Sequence, residues 1–283
     1  MASEQAATFF VVVGAQRTGT NLLREILNTN PGIAMLGEIF TPSSAPAHWD
    51  NFVATLPHSE RSPATAHEVR QTLDRYLNFV NYRVRNFWID GDKSGARAIG
   101  VDIKYNQLRS VAPSNWQCTA IPYLVDYLET ARAVFVHVVR RNLIHCAISA
   151  MIAEQRNIWH NYQGVPIDRS FTIDPSACID LARSITRDRD GFARCSTDAF
   201  VVECCYEDLV SSIERAGTKS LITFDEGPLP LISRALGVEF QFRYDGGLRK
   251  AINIPYPRLI ANHRDLVAAV THSEFAAFAP TLA

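Results

Sequence analysis

The 283-residue sequence lacks an excess of charge of either sign, because 28 Lys and Arg residues nearly balance 29 Asp and Glu residues. Proteins that bind nucleic acids without regard to base sequence depend on a strong positive charge, whereas this chain has a formal net charge of −1. The composition therefore argues against a nucleic-acid partner. It leaves room for a local basic pocket that binds one small anion.

Long apolar runs are lacking as well. No stretch approaches the roughly 20 apolar residues that a membrane-spanning helix needs. The start of the chain is polar, and it has no Lys or Arg ahead of the apolar run 9–13, as a secretory signal would require. We therefore expect a cytoplasmic protein without a membrane span. The sequence does not indicate an oligomeric state.

The six cysteines lack the spacing of a metal centre. None of them forms a CxxC pair, and the adjacent Cys204 and Cys205 fall in a strand-like run. A structural zinc site needs closer and repeated spacing. We predict free buried thiols and no metal site.

Short apolar runs alternate along the chain with amphipathic stretches. None of the runs alternates strictly between apolar and polar residues, which is typical of a parallel sheet covered on both faces. The pattern predicts an α/β fold, in which one three-layer, P-loop-like domain over 1–283 has a central parallel sheet flanked by helices. The predicted strands are 8–13, 98–103, 133–139 and 199–204, and the predicted helices are 21–28, 142–154, 177–189 and 228–236.

Two stretches that contain several prolines, 41–62 and 157–175, do not fit this pattern. We expect both to be long loops. Loops in such positions often form the rim of a substrate site, and the alternative is ordinary surface loop.

The strongest local signal is the segment 13–23, in which an apolar run leads into a glycine-bounded turn and then into a helix. This arrangement aims several backbone N–H groups at one point, at the positive end of the helix dipole. Phosphate and sulfate bind at such points. The spacing of Gly14 and Gly19 is that of a nucleotide-binding P-loop.

Two departures from the kinase and GTPase pattern indicate a loop that binds an anion without a metal. Those enzymes have Lys at the position of Thr20, and Ser or Thr at the position of Asn21 to hold Mg²⁺. Their neighbouring strand ends in Asp, whereas the strand 133–139 leads into two arginines. The positive charge of the loop is carried by Arg17. The alternative is a glycine turn that only joins a strand to a helix.

A second candidate anion site follows the strand 133–139. Arg141 lies at the end of that strand, and Ser149 lies two turns into the next predicted helix. Both side chains can reach one phosphate, with a forked charged contact from the guanidinium and a single contact from the hydroxyl.

Together these motifs resemble the sulfotransferases that use 3′-phosphoadenosine 5′-phosphosulfate. The 5′-phosphosulfate loop of that family is similar to 14–23, and its 3′-phosphate motif has an Arg followed eight residues later by a Ser, as at Arg141 and Ser149. The tetrapeptide 206–209 is also usual there, after a strand. The stretches most similar to the rhizobial nodulation-factor and related bacterial carbohydrate sulfotransferases are 37–40, 139–142, 248–250 and 259–262. The resemblance covers nearly the whole chain.

The resemblance implies an enzyme that moves a sulfuryl group from 3′-phosphoadenosine 5′-phosphosulfate, its co-substrate, to a hydroxyl of a carbohydrate, a glycolipid or another small-molecule acceptor. It implies that Glu38 is the base that takes the acceptor proton, and that Arg17 stabilises the leaving phosphate; the alternative for Glu38 is a local cap or pair. Arg156 and Trp159 are expected to line the acceptor cleft, and packing explains Trp159 equally well. The residues expected to bind the donor nucleotide are Arg17, Thr18, Gly19, Thr20, Asn21, Arg141, Ser149, Tyr206, Arg249 and Lys250.

One position departs from the family pattern. Related chains often have a Lys two residues after the glycine that opens the strand 100–104, and here that position holds Asp102, with Lys104 two residues later. Either Lys104 supplies the cation after a small shift, or Asp102 faces the acceptor as an extra carboxylate, or both are merely paired or solvated. His137, inside an apolar run, is expected to be a core histidine.

Two other functions stay open at this point. One is a P-loop phosphotransferase, which the missing Lys and Mg²⁺ ligands disfavour. The other is a non-catalytic nucleotide-binding module, which would keep the phosphate loop but would have no need of Glu38 beside it.

Overall fold

A parallel sheet of five strands forms the centre of the protein. The computed structural model describes residues 7–41, 47–88, 92–113, 121–159, 167, 169–216, 221–222, 227–244 and 254–283. The strands of the sheet are β1 (Thr8–Gly14), β2 (Ile33–Glu38), β3 (Ala98–Lys104), β4 (Val134–Val139) and β5 (Phe200–Cys205). They are ordered β2-β3-β1-β4-β5, and every neighbouring pair runs parallel. The predicted parallel sheet is therefore confirmed.

Helices connect the strands and cover both faces of the sheet. They are α1 (Thr20–Asn28), α2 (Trp49–Thr55), α3 (Ala66–Phe87), α4 (Tyr123–Thr130), α5 (Leu143–Arg156), α6 (Pro175–Cys195), α7 (Tyr206–Ala216), α8 (Pro228–Leu236), α9 (Tyr256–Leu259) and α10 (His263–Thr271). A short antiparallel pair, β6 (Leu221–Ile222) and β7 (Phe242–Arg243), lies apart from the main sheet. Within the described ranges, no helix combines the length and apolarity that crossing a bilayer would take.

The alternation of side chains along β1 explains the three layers. Val11 and Val13 pack into a core that includes residues of α3 and α4. Phe10 and Val12 point to the opposite face of the strand and pack into a second core, with residues of α1 and α8. Because a strand buried on both faces must be apolar at consecutive positions, the apolar run 9–13 is the sequence signature of this central position.

The prediction of one long loop over 41–62 is wrong, because α2 lies within it. Phe52 of α2 is buried, and its ring lies 5.1 Å from that of Tyr76 on α3. A 3-10 turn at 58–60 follows. Residues 42–46 lie outside the described part of the chain. In the second expected loop, 157–175, Phe171 forms an isolated bridge with Ile260, whereas 160–166 and 168 lie outside the described residues.

The register of the strands brings their carboxyl ends to one edge. Gly14 at the end of β1 lies opposite Lys104 of β3 on one side and Val138 of β4 on the other. Glu38 at the end of β2 lies opposite Asp102. Ligands of open parallel sheets bind in the crevice outside this edge, so it is where a site is expected.

Candidate active site

The turn that follows β1 has the conformation of an anion-binding loop. Arg17 and Gly19 both adopt positive φ angles, 66° and 100°, and Gly19 caps the start of α1. The Thr18 hydroxyl donates to the Ala15 carbonyl at 2.7 Å, which closes the loop on itself. The first turn of α1 directs its N–H groups back into this loop.

Gly19 is required by its surroundings as well as by its backbone. A Cβ atom at Gly19 would collide with the ring of Tyr206, the first residue of α7. Tyr206 therefore packs directly against the phosphate loop. The structure thus brings together these two residues, which the sequence had linked only through the family resemblance.

Arg17 turns its half-buried side chain toward α5. Its Nε donates to the Ser149 hydroxyl at 3.0 Å, and its Nη1 donates to the carbonyl of Trp159. Burial lowers the pKa of the guanidinium, and the nearby charge of Arg140 acts in the same direction. An arginine remains charged after such a shift. Arg17 is therefore a fixed cation, held between the loop and the helix that carries Ser149.

Arg140 is a cation of the loop that the sequence had not singled out. Its Nη1 donates to the Arg17 carbonyl at 3.1 Å, and its guanidinium carbon lies 4.6 Å from the centre of the Tyr206 ring. The Nε of Arg140 is buried and has no hydrogen-bond partner within the described part of the chain. Arg140 thus ties the left-handed residue of the loop to the aromatic ring beside it.

Arg141 turns the other way, toward solvent. Its guanidinium forms a forked pair with Asp208 of α7, with N–O distances of 2.9 and 2.6 Å. The backbone N–H groups of Arg141 and Asn142 donate to the carboxylate of Glu207, which fastens the start of α5 to α7. Arg141 and Ser149, predicted to share one phosphate, make their hydrogen bonds with different partners, so their shared role stays a prediction.

A buried polar cluster lies beneath the phosphate loop. The Nζ of Lys104 donates to both carboxyl oxygens of Asp102, at 2.9 and 2.7 Å, and to the hydroxyl of Thr20. Asp102 is fully buried. The idea that Asp102 faces the acceptor as an extra carboxylate is therefore wrong, because its oxygens face Lys104. Burial raises the pKa of the Asp102 carboxyl, and Lys104 and a hydrogen bond with Thr20 oppose that shift.

Glu38 lies at the edge of this cluster. Its Oε1 is 3.7 Å from the Lys104 Nζ, and its side chain keeps 23 % of its surface exposed. Its Oε2 accepts hydrogen bonds from the Thr41 hydroxyl at 3.0 Å and from the Gln107 amide at 3.2 Å. Glu38 is thus an oriented carboxylate beside a cation, with access to solvent.

The structure joins most of the predicted site residues at the carboxyl edge of the sheet. Thr18 and Thr20 are buried. The Thr20 hydroxyl accepts from Lys104 in the cluster below the loop, while the Thr20 N–H group lies at the helix start. Asn21 follows on α1. Arg249 and Lys250 lie outside the described residues. Among the described residues, no group of His, Cys, Asp and Glu is arranged to hold a metal ion.

Sequence reasoning missed Gln107 and Arg140 and left Lys104 undecided. For Lys104 the available signal was its place at the end of a predicted strand, and the structure shows that this strand lies next to β1 and so brings Lys104 beside the phosphate loop. For Arg140 no signal was available, since two consecutive arginines leave a strand in opposite directions and the sequence does not say which turns inward.

Comparison with known proteins agrees with this geometry. A sequence model of the sulfotransferase family matches residues 10–224, which is more than half of the chain and contains the phosphate loop, Glu38, the buried cluster and α7. No curated protein matches the chain. The chain therefore belongs to the sulfotransferase family and is an enzyme that transfers sulfuryl groups.

Proposed function

We propose that this enzyme moves a sulfuryl group from 3′-phosphoadenosine 5′-phosphosulfate to a hydroxyl of a carbohydrate, a glycolipid or another small-molecule acceptor. The observation that carries the proposal is that the phosphate loop, which contains Arg17, has Lys104 bonded to Thr20 at its end, with Glu38 3.7 Å from the Lys104 ammonium. Sulfuryl transfer parallels phosphoryl transfer, so it needs charge stabilisation at the leaving oxygen and a base at the attacking one.

The reaction forms a bond between the acceptor oxygen and sulfur while the bond from sulfur to the 5′-phosphate oxygen breaks. The electron pair leaves on that phosphate oxygen, where Arg17 and the N–H groups of the loop neutralise the negative charge. The acceptor proton passes to the Glu38 carboxylate. Thr41 and Gln107 hold one oxygen of Glu38, so the carboxylate meets the acceptor in one orientation.

We assign the 3′-phosphate of the donor to Arg141 and Ser149. The pair between Arg141 and Asp208 supports this assignment, because the Arg141 and Asp208 side chains are 61 % and 45 % exposed. Exposed ion pairs stabilise proteins little, so a phosphate can replace the carboxylate. By the family resemblance, Tyr206 lies near the adenine, and Arg249 and Lys250 close over the 3′-phosphate.

The donor is proposed to bind without a metal. Asn21 stands at the position where kinases and GTPases have the Ser or Thr that holds Mg²⁺. The Thr20 hydroxyl, at the position of their Lys, is buried and bonded to Lys104. The strand β4 leads into Arg140 and Arg141 rather than into an Asp that would complete a Mg²⁺ shell.

An acceptor screen with ³⁵S-labelled donor tests the proposal. Sugars, glycolipids, phenols and amines are incubated with enzyme, labelled donor and EDTA, and parallel reactions contain Mg²⁺ and [γ-³²P]ATP. We expect ³⁵S in a carbohydrate or other hydroxylated product, and no ³²P. Transfer of ³²P without transfer of ³⁵S would contradict the proposal in favour of a phosphotransferase. Binding of the donor without transfer to any acceptor or to water would indicate a non-catalytic module.

A further inference from the structure

Asp102 is a carboxylate in a place where strands normally carry apolar side chains. Its neighbours Val101 and Ile103 point to the other face of β3 and join the core there. Asp102 itself has no exposed surface. Burying a carboxylate is costly unless it is paired and hydrogen-bonded, so the position calls for a compensating partner.

Lys104 is that partner, and strand geometry explains why. Residues two apart on a strand share a face, so Asp102 and Lys104 both point toward α1. Both carboxyl oxygens of Asp102 lie within 2.9 Å of the Lys104 Nζ. The ammonium is itself buried, with 3 % of the side chain exposed. A flexible four-carbon side chain is thereby held in one conformation.

The distances separate the two carboxylates that surround Lys104. The nearest oxygen of Asp102 lies at 2.7 Å, which is a charged hydrogen bond, whereas the nearest oxygen of Glu38 lies at 3.7 Å. Asp102 therefore fixes the position of the ammonium, and Glu38 experiences its charge. Without Asp102, the ammonium would have Glu38 as its nearest carboxylate and could pair with it directly.

Asp102 cannot be the base itself. It is fully buried, and Lys104 and Thr20 engage its carboxyl group, so an acceptor hydroxyl has no access to it. Its influence on the reaction must pass through Lys104.

We propose that Asp102 is a positioning residue that holds the Lys104 ammonium between the Thr20 end of the phosphate loop and Glu38. This role rests on the proposed function. In this position the ammonium lies beside the end of the phosphate loop, where the proposed function puts the sulfuryl donor, and beside the proposed base. Asp102 also keeps Lys104 from capturing Glu38 in a closed ion pair, so that Glu38 remains available to take the acceptor proton.

A double-mutant cycle of Asp102→Asn and Lys104→Met tests this role. Turnover is followed as ³⁵S transfer to the acceptor found in the screen and, without acceptor, as release of labelled sulfate to water. Calorimetry with 3′-phosphoadenosine 5′-phosphate measures the nucleotide affinity, and its stoichiometry gives the fraction of protein that is folded. We expect D102N to lower kcat about 10–100-fold, the loss typical of a misplaced catalytic group. We expect its nucleotide Kd to change by less than about threefold, and we expect D102N to change turnover less than about twofold when K104M is already present.

The variants also separate the possible failures. The double variant contains no unpaired buried charge, so we expect it to fold even if D102N alone, which leaves the buried Lys104 ammonium without its partner, does not. In that case the comparison of K104M with the double variant decides, and equal turnover supports the proposal. Equal losses from D102N in both backgrounds, or a loss in Kd instead of kcat, would overturn the role of Asp102 and leave the proposed function intact. A wild-type enzyme that transfers no ³⁵S would overturn both.

Discussion

The two halves of the site are held in different ways. The proposed nucleotide half, made of Arg17, Arg140, Arg141, Ser149 and Tyr206, is held by separate contacts with backbone carbonyls, an aromatic ring and the exposed carboxylate of Asp208, and Arg141 lies in solvent. The proposed base half, made of Glu38, Asp102, Lys104 and Gln107, is a network of side chains that bond one another in a nearly buried space.

This difference indicates a division of labour. A cation in an exposed pair can exchange its carboxylate for a phosphate, which suits a group that binds and releases a nucleotide. A buried network that is complete before substrate arrives does not reorganise during the reaction, which suits proton transfer and charge stabilisation. Changes in the base half should therefore lower turnover, and changes in the nucleotide half should lower affinity, except at Arg17, which also faces the leaving phosphate and should affect both.

The largest effect is expected for Glu38→Gln. The substitution keeps the size of the side chain and removes the proton acceptor, so turnover should fall about 10²–10⁴-fold. Steady-state ³⁵S transfer and calorimetry with 3′-phosphoadenosine 5′-phosphate measure the two halves separately. If Glu38→Gln lost nucleotide affinity as well as turnover, the two halves would not be functionally distinct. If the variant kept full activity, Glu38 would have a structural role only.

The stability of the fold beside the base half should depend on pH through His137. Burial, with a contribution from the Arg189 charge, lowers the pKa of His137 from 6.5 to about 4. Its Nε2 lies 2.7 Å from the hydroxyl of Tyr105, which directly follows Lys104. Between pH 6.5 and 4, His137 binds a proton in the unfolded chain but not in the folded protein. The contribution of His137 to the free energy of unfolding should therefore fall by about 3 kcal/mol over that window and change no further below it.

Urea titrations of wild type and His137→Gln at several pH values check this dependence. Gln keeps an acceptor for the Tyr105 hydroxyl but does not titrate, so the variant should lose less stability between pH 6.5 and 4. Parallel curves for the two proteins would show that His137 does not cause the loss.

In the nucleotide half, Arg141→Ala should weaken binding of 3′-phosphoadenosine 5′-phosphate about 10–100-fold, the usual effect of losing one charged contact. Binding of adenosine 5′-phosphosulfate, which has no 3′-phosphate, should change little. Asp208→Asn is the matched control, because it releases Arg141 from its pair without removing the guanidinium. Equal losses for both nucleotides in Arg141→Ala would rule out the assignment of Arg141 to the 3′-phosphate.

A smaller effect is expected for Arg140→Lys. Lysine keeps the charge but loses the planar group that lies over Tyr206 and donates to the Arg17 carbonyl. We expect the nucleotide Kd to rise about 3–10-fold, with kcat nearly unchanged. A drop in kcat without a change in Kd would contradict this, because Arg140 would then act in turnover and not in nucleotide binding.

Strands were easier to predict from the sequence than the site beside them. The ends of the four predicted strands lie within one residue of those of β1, β3, β4 and β5, because strands buried on both faces have continuous apolar runs. The edge strand β2 was missed, since its apolar run covers only 33–36 before Gly37 and Glu38, and its pairing with β3 is irregular there. The 22-residue α3 was also missed, although Thr65 and Glu68 form a capping box that marks its start.

Contacts within the site were predicted less well, for a physical reason. The phosphate loop is local in sequence, so its glycines and Arg17 could be recognised together. The base half joins residues from β2, β3 and the 3-10 turn 105–107, and Lys104 also bonds Thr20 of α1. Because β3 is buried on both faces, its sequence has no polarity pattern that says which face Asp102 and Lys104 occupy. Only the register of β3 against β1 settles their place beside the loop.

We expect the enzyme to bind a nucleotide through its 3′-phosphate and without a metal. A thermal-shift measurement that compares two nucleotides tests this most directly. In excess EDTA, 3′-phosphoadenosine 5′-phosphate at about 100 times its Kd should stabilise the folded protein by about 2.7 kcal/mol. For a chain of this length that stabilisation raises the Tm by several degrees, and Mg²⁺-ATP should leave the Tm unchanged. A shift with Mg²⁺-ATP that EDTA abolishes, together with no shift from the 3′-phosphorylated nucleotide, would contradict the account.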